Sequence, residues 1–325
     1  MMKTKTITVL VMAFIFVSAG LVFPDSTQVK GKPLPGKILL IVGQDNKTID
    51  AYIESTGIVP GGFMGYTSIQ KMEGLNSPSP DYGSGIFYAD ELIQKYPNTV
   101  LQIGLYMVDG LESTYQGVYD DNIKILADWL KKINIPVFLR IGYECEGMHN
   151  HYDPENYKKA YCYLVDKLKA AGIGNAVYVW HLHAHRTDTN LDLWYPGKDY
   201  VDWVGISYFA QDPKAMEHVV NFARKENKPV MIAESTPLGV GTIWGEMSWK
   251  RWFERFFQLI DEYDIKAVSY INSNWEEQSM WKDQGWGDAR IQANSYIKEQ
   301  WLKEISKDKY LKSSKDLFRN LGFAN

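Results

Sequence analysis

Short apolar blocks alternate along this chain with amphipathic stretches, and the two periods, two and 3.6, separate strands from helices. The pattern predicts strands over 38–42, 62–69, 100–107, 136–144, 176–182, 201–208, 229–233 and 267–271. Between them, helical spacing predicts helices over 48–55, 89–95, 120–132, 154–171, 213–225, 249–263 and 289–304. The third of these shows the signal well, with Ile123, Leu126, Ala127 and Leu130 on one face. Pro154 after Asp153 has the form of a capped helix start. A Ser, Pro and Gly cluster over 76–85 is a long loop. Eight strands alternating with helices specify an α/β protein, a single (β/α)8 TIM barrel spanning 37–305. An open doubly wound sheet competes with it, but no strand here feeds a glycine-rich phosphate loop.

Two predicted strands break the apolar rule in the same way. The stretch PVFLRIGYECE over 136–146 carries Arg140 inside a buried run and ends on carboxylates. In an extended chain Arg140, Gly142 and Glu144 share a face, and a guanidinium in a core requires an anion beside it. Ninety residues on, KPVMIAEST stops its apolar run at Glu234. In a barrel, side chains at the ends of strands line the working face, and strands four and seven lie nearly across it from each other. Glu144 and Glu234 therefore face one another over the mouth.

Two opposed carboxylates are the minimum set for cleaving a glycosidic bond: one protonates the leaving oxygen, the other attacks the sugar or activates water. A separation of about 5 to 5.5 Å gives retention, and 6.5 Å or more gives inversion. Arg140, one layer deeper, is placed to orient and ionise the nucleophile. Trp180, His181 and His183 close strand five, and Trp275 follows strand eight. The chain has 11 Trp and 21 Tyr, many near strand ends, and their flat faces with a polar edge suit sugar rings.

The segments LRIGYECEG, NAVYVW, YPGKDYVDWVGISYF and KPVMIAES together resemble glycoside hydrolase family 26, within the clan of retaining enzymes that place an acid/base glutamate after strand four and a nucleophile after strand seven. The resemblance covers most of the barrel. It implies a retaining endo-glycosidase acting on β-linked polysaccharide of the β-1,3-xylan or β-mannan type, with Glu144 as acid/base and Glu234 as nucleophile. It further implies that Tyr208 hydrogen-bonds the nucleophile and that Trp275 floors a sugar subsite. The family usually has His before the acid/base and Asn two residues after it. Tyr143 and Glu146 stand there instead, closer to the β-1,3-xylanases than to the mannanases, with Glu146 placed to meet a hydroxyl near the acid/base.

Other readings compete. His181, His183 and His185 alternate along one strand and His149 and His151 repeat the spacing, so a metal-dependent hydrolase is an alternative. A non-catalytic carbohydrate-binding barrel is another. The glycosidase reading needs no cofactor and no metal.

The first 23 residues have Lys3 and Lys5, a mostly apolar run over 7–17 and small residues at 18–20, the form of a secretory signal peptide. The run is too short to span a bilayer. The expected mature protein is secreted or periplasmic, with a linker over 24–36 and no membrane contact. Without Lys3 and Lys5, 33 basic residues face 39 acidic ones, a net charge of about −6, which argues against a nucleic-acid partner. Export would permit a disulfide, but Cys145 at a strand end and Cys162 two turns into a helix are poorly placed for one. The charged tail over 306–325 is expected to be a loosely packed C-terminal extension.

Overall fold

The computed structural model describes residues 29–209 and 211–323. The expected signal peptide and the first part of the linker lie outside the described residues. Eight parallel strands, β1 (Ile38–Gly43), β2 (Gly62–Ser68), β3 (Val100–Tyr106), β4 (Val137–Ile141), β5 (Ala176–Leu182), β6 (Trp203–Tyr208), β7 (Val230–Ser235) and β8 (Ala267–Ile271), pair in sequence order. Pairing of β1 with both β2 and β8 closes the sheet, and helices run between the strands. The fold is a (β/α)8 TIM barrel.

Alternation along each strand divides the apolar residues into two sets. One fills the barrel interior: Leu39, Ile41, Met64, Val100, Phe138, Val177, Val179, Trp203, Met231 and Ala267. The other, including Leu139, Ile141, Tyr178, Trp180, Ile206, Tyr208 and Ile232, packs against the helices. Towards the C-terminal ends of the strands the interior positions turn polar. Gln102 donates to the Ala233 carbonyl at 2.7 Å, and Ser269 donates to Gln102 at 2.6 Å.

The N-terminal end of the barrel is sealed by the segment before β1 and the segment that follows Ile305. A short strand β9 (Tyr310–Leu311) pairs with the start of β1. Beyond it, Leu317 and Leu321 are fully buried within the interior cluster. The Trp203 indole donates to the Lys30 carbonyl at 2.8 Å, and Gly31 lies against Phe138 and Val177. The tail is thus packed, not loose: its charges face outward and its two leucines enter the barrel. At the opposite end, the loops after β2 and β8 meet, with Gln278 donating to the Ser84 carbonyl and the Met280 amide to the Gly83 carbonyl, each at 3.3 Å. Both cysteines are free thiols. Among the described residues no helix is long and apolar enough to cross a membrane.

Candidate active site

Glu144 reaches the barrel mouth by a different route from the one simple alternation predicts. Strand β4 ends at Ile141, and Gly142 and Glu144 both adopt left-handed backbone, with φ of 55° and 51°. At Gly142 a Cβ would come within 2.9 Å of the Tyr157 ring, so glycine is needed for both conformation and space. A non-glycine residue with positive φ is uncommon, and Glu144 is one of them. Asn150 fastens this turn by donating to the carbonyls of Tyr143 and Glu144 at 2.9 and 3.0 Å.

Glu234 arrives by another departure from regularity. The β6–β7 register runs from Ile206↔Ile232 to Ser207↔Glu234, skipping Ala233. Strict alternation from Val230 and Ile232, both in the helix-facing layer, would send Glu234 outward. The extra residue is a β-bulge, a device that re-aims a side chain, and it turns the carboxylate into the barrel.

The two carboxylates are joined by one chain of hydrogen bonds that runs outward from Arg140 to both. Arg140, fully buried, donates through Nη1 to Glu234 Oε1. The same nitrogen lies 3.3 Å from His181 Nδ1. His181 Nε2 is 3.1 Å from Ser207 Oγ, and Ser207 donates to Glu144 Oε1 at 2.5 Å. A guanidinium only donates and the serine proton points to the carboxylate, so His181 must accept at Nδ1 and donate at Nε2. That makes it neutral, in keeping with burial and the Arg140 charge, which push its pKa well below the ordinary value. On its other side, Glu144 Oε2 lies 2.9 Å from His149 Nε2.

The electrostatics follow from these partners. Burial works against the charge on Glu144, but the hydrogen bond from His149, the neighbouring His183 and His181 rings and the hydrogen bond from Ser207 together outweigh it and bring the pKa down to about 2. The same contact raises His149, with burial opposing. Burial pushes Glu234 above the ordinary carboxylate value, with the Arg140 guanidinium acting the other way. Arg140 itself stays charged: burial disfavours its charge, and the Glu234 anion more than compensates. Its Nε and Nη2 have no hydrogen-bond partner among the described residues. They belong to a guanidinium whose Cζ lies 5.1 Å from the Tyr66 ring centre and 5.3 Å from that of Tyr143, cation–π contacts on two sides.

The remaining predicted residues divide. Tyr143 stands in the site, its ring 5.2 Å from Tyr66 and 6.5 Å from the exposed Tyr106. Glu146 accepts from the backbone amides of His183 and Ala184 at 2.9 and 2.7 Å, so it fixes the loop after β5. Burial raises its pKa to about 7. His183 is half-buried, 5.6 Å from His149 and stacked 5.2 Å from His185. Trp180 and Tyr208 are corrections. Trp180 packs against Tyr195 and Phe222 in the helix layer, and Tyr208 against Trp252 and Phe256. Both fall on the outward parity of their strands, one residue away from His181 and Ser207, which point inward. Trp275 is also corrected in part. It is only 3% exposed and donates to Thr236 at 3.1 Å, supporting Trp286 and Trp281 from beneath at 5.2 and 5.6 Å. Trp286, partly exposed and 5.3 Å from Phe209, forms the accessible aromatic face on that side.

Ser207, Tyr66 and Trp286 were not anticipated. Parity along β6 and β2 carried the signal for the first two; Trp286 lies in an irregular loop that carries none. Among the described residues no group of three or more His, Cys, Asp or Glu side chains is arranged to hold a metal ion.

Residues 75–281 match the model of glycosyl hydrolase family 26. The beta-1,3-xylanase TXYA of Vibrio sp is 33% identical over 325 residues, covering 91% of this chain and 70% of that protein. A beta-1,3-xylanase of Alcaligenes sp is 33% identical, covering 90% and 69%. Among solved structures, a family 26 β-mannanase from Bacteroides ovatus superposes with a TM-score of 0.64 at 16% identity, covering 87% of this chain and 93% of that one. That last likeness speaks to the fold, and the others to descent. The chain is an O-glycosyl hydrolase belonging to glycosyl hydrolase family 26.

Proposed function

We propose that this protein is an exported endo-glycosidase that cleaves β-1,3-xylan with retention of anomeric configuration. The observation that carries the reading is the unbroken chain Glu234, Arg140, His181, Ser207, Glu144, which ties two buried carboxylates into one unit. Glu234 attacks the anomeric carbon while Glu144 protonates the leaving oxygen. Glu144 then removes a proton from water, which releases the sugar from Glu234. Arg140 holds the nucleophile charged and oriented. Tyr66, Tyr143 and Tyr106 on one side and Phe209 with Trp286 on the other offer flat faces to sugar rings.

The choice of sugar is supported by the names of the two relatives at 33% identity, both beta-1,3-xylanases. Export is supported by the basic and apolar pattern of the first 23 residues. The test is incubation of the purified chain, without those residues, with β-1,3-xylan, β-mannan, β-1,4-xylan and mixed-linkage glucan. New reducing ends from β-1,3-xylan, with the β-anomer appearing first by proton NMR, are expected. Cleavage of only another glycan moves the substrate; an initial α-anomer removes the double displacement.

A further inference from the structure

The free protein holds its two carboxyls in an arrangement that does not suit the first chemical step. That step needs a proton on Glu144, yet Ser207 already donates to Oε1, so the transferable proton must sit on Oε2. Oε2 faces His149 Nε2 at 2.9 Å. Only one proton fits between those two atoms, and the imidazole is the stronger base.

We infer that His149 keeps the proton that Glu144 must donate: in the free protein the pair is imidazolium and carboxylate, and the proton crosses to Oε2 when the bridging oxygen of a bound sugar takes the place of the imidazole. The inference rests on the glycosidase reading and assigns His149 a positioning role exercised through Glu144. The proton balance is simple. The N–H bond of His149 breaks and an O–H bond forms on Oε2, leaving a neutral imidazole. That O–H bond then breaks as the leaving oxygen takes the proton. In the second step a water proton passes to Glu144 and back to His149, restoring the pair.

The surroundings fit a mobile proton holder. The His149 side chain is about half exposed, on a single 3-10 turn (Met148–Asn150) followed by left-handed His151. From the loop after β5, the His183 ring meets it edge to face at 5.6 Å, and His183 is kept towards its neutral form by burial, so it adds no competing charge at that contact. The anions that act on His149 are Glu144, then Glu234 on β7, then Glu146 beyond the turn, and all favour the imidazolium. Ser207 on β6 reaches it only through Glu144, and His185 only through His183.

Two measurements decide the matter. In the first, the ring protons of His149 are followed by NMR titration in the wild type and in Glu144→Gln, with His149→Gln assigning the resonance. The wild-type imidazole is expected to titrate above the ordinary histidine value of about 6.5 and to fall by roughly one unit or more in Glu144→Gln. An unchanged titration overturns the inference. In the second, kcat/KM on β-1,3-xylan is measured against pH for His149→Gln, whose amide can still donate but cannot titrate.

The ratio of protonated to ionised Glu144 beside a neutral partner depends on pH alone. The two profiles therefore keep the same slope at high pH, while the alkaline limb of the variant begins at lower pH. A variant slowed by the same factor at every pH, with its limb unmoved, overturns the inference and leaves His149 a structural role. The titration does not depend on turnover. If the wild type cuts no β-glycan while its imidazole still answers to Glu144, the functional reading fails and the proton pair stands.

Discussion

The two ends of this barrel are closed by opposite means. At the N-terminal end, Leu317, Leu321 and Gly31 close the interior mainly with apolar contact. At the C-terminal end lie Arg140, His181, Ser207, Glu144 and Glu234, all nearly or fully buried and joined in one hydrogen-bonded chain that runs from Arg140 to both carboxylates. Apolar closure is tolerant, because its strength scales with area and asks for no partner. The polar end is intolerant, because removal of one member leaves a buried neighbour unsatisfied. The difference teaches that stability and chemistry sit at separate ends of one sheet, and substitutions should separate them.

The sharpest break should come from Glu234→Gln. If Glu234 is the nucleophile as proposed, its loss lowers turnover by at least about a thousandfold. The uncompensated Arg140 should also cost about 3 to 5 kcal/mol of stability, read by denaturant unfolding. Glu144→Gln is expected to lower kcat on polysaccharide by about a hundredfold or more with little change in Tm, since the amide oxygen still accepts from Ser207. If both variants unfold alike, the two carboxylates do not differ in the way their partners require. At the other end, Leu321→Ala should cost about 2 to 5 kcal/mol and leave kcat at 25 °C unchanged; a drop in kcat would show that the two ends are coupled.

Ser207→Ala strands the His181 Nε2 proton and removes a donor from a carboxylate, for an expected tenfold to hundredfold loss in kcat, about 1.4 to 3 kcal/mol. The pH profile gives a further check. In the proposed double displacement Glu234 attacks as its carboxylate, and burial raises its pKa. Activity should therefore be lost as pH falls through a value above that of an ordinary glutamate, about 4.3. An acid limb well below that value would contradict this picture. Tyr208→Phe should change kcat/KM by less than about twofold, because its ring belongs to the helix layer.

The barrel was legible because its strands are buried on both faces and bounded by turn residues, so β5 and β8 fall where the pattern placed them. Strand ends were less so. The 136–144 prediction ran past Ile141, since nothing in GYE announces two left-handed residues. Glu144 and Glu234 were found by residue type at strand ends, while the reasons they face inward, a tight turn and a skipped residue, lie in the backbone. Trp180 and Tyr208 show the converse: each lies one residue from a true site position, and that single step moves a side chain from the mouth to the helix layer. The tail misled because its charges mask Leu317 and Leu321, too few to form a period.

The insertion at Ala233 makes this last point in reverse. Without the bulge, Ala233 would pair with Ser207 in an even pleat and the Glu234 carboxylate would rotate out of the cavity, away from any glycan resting there. The aromatic walls, being carried by other segments, would keep their places. A sugar-cutting barrel and a barrel that merely grips sugar thus stand one step of strand register apart.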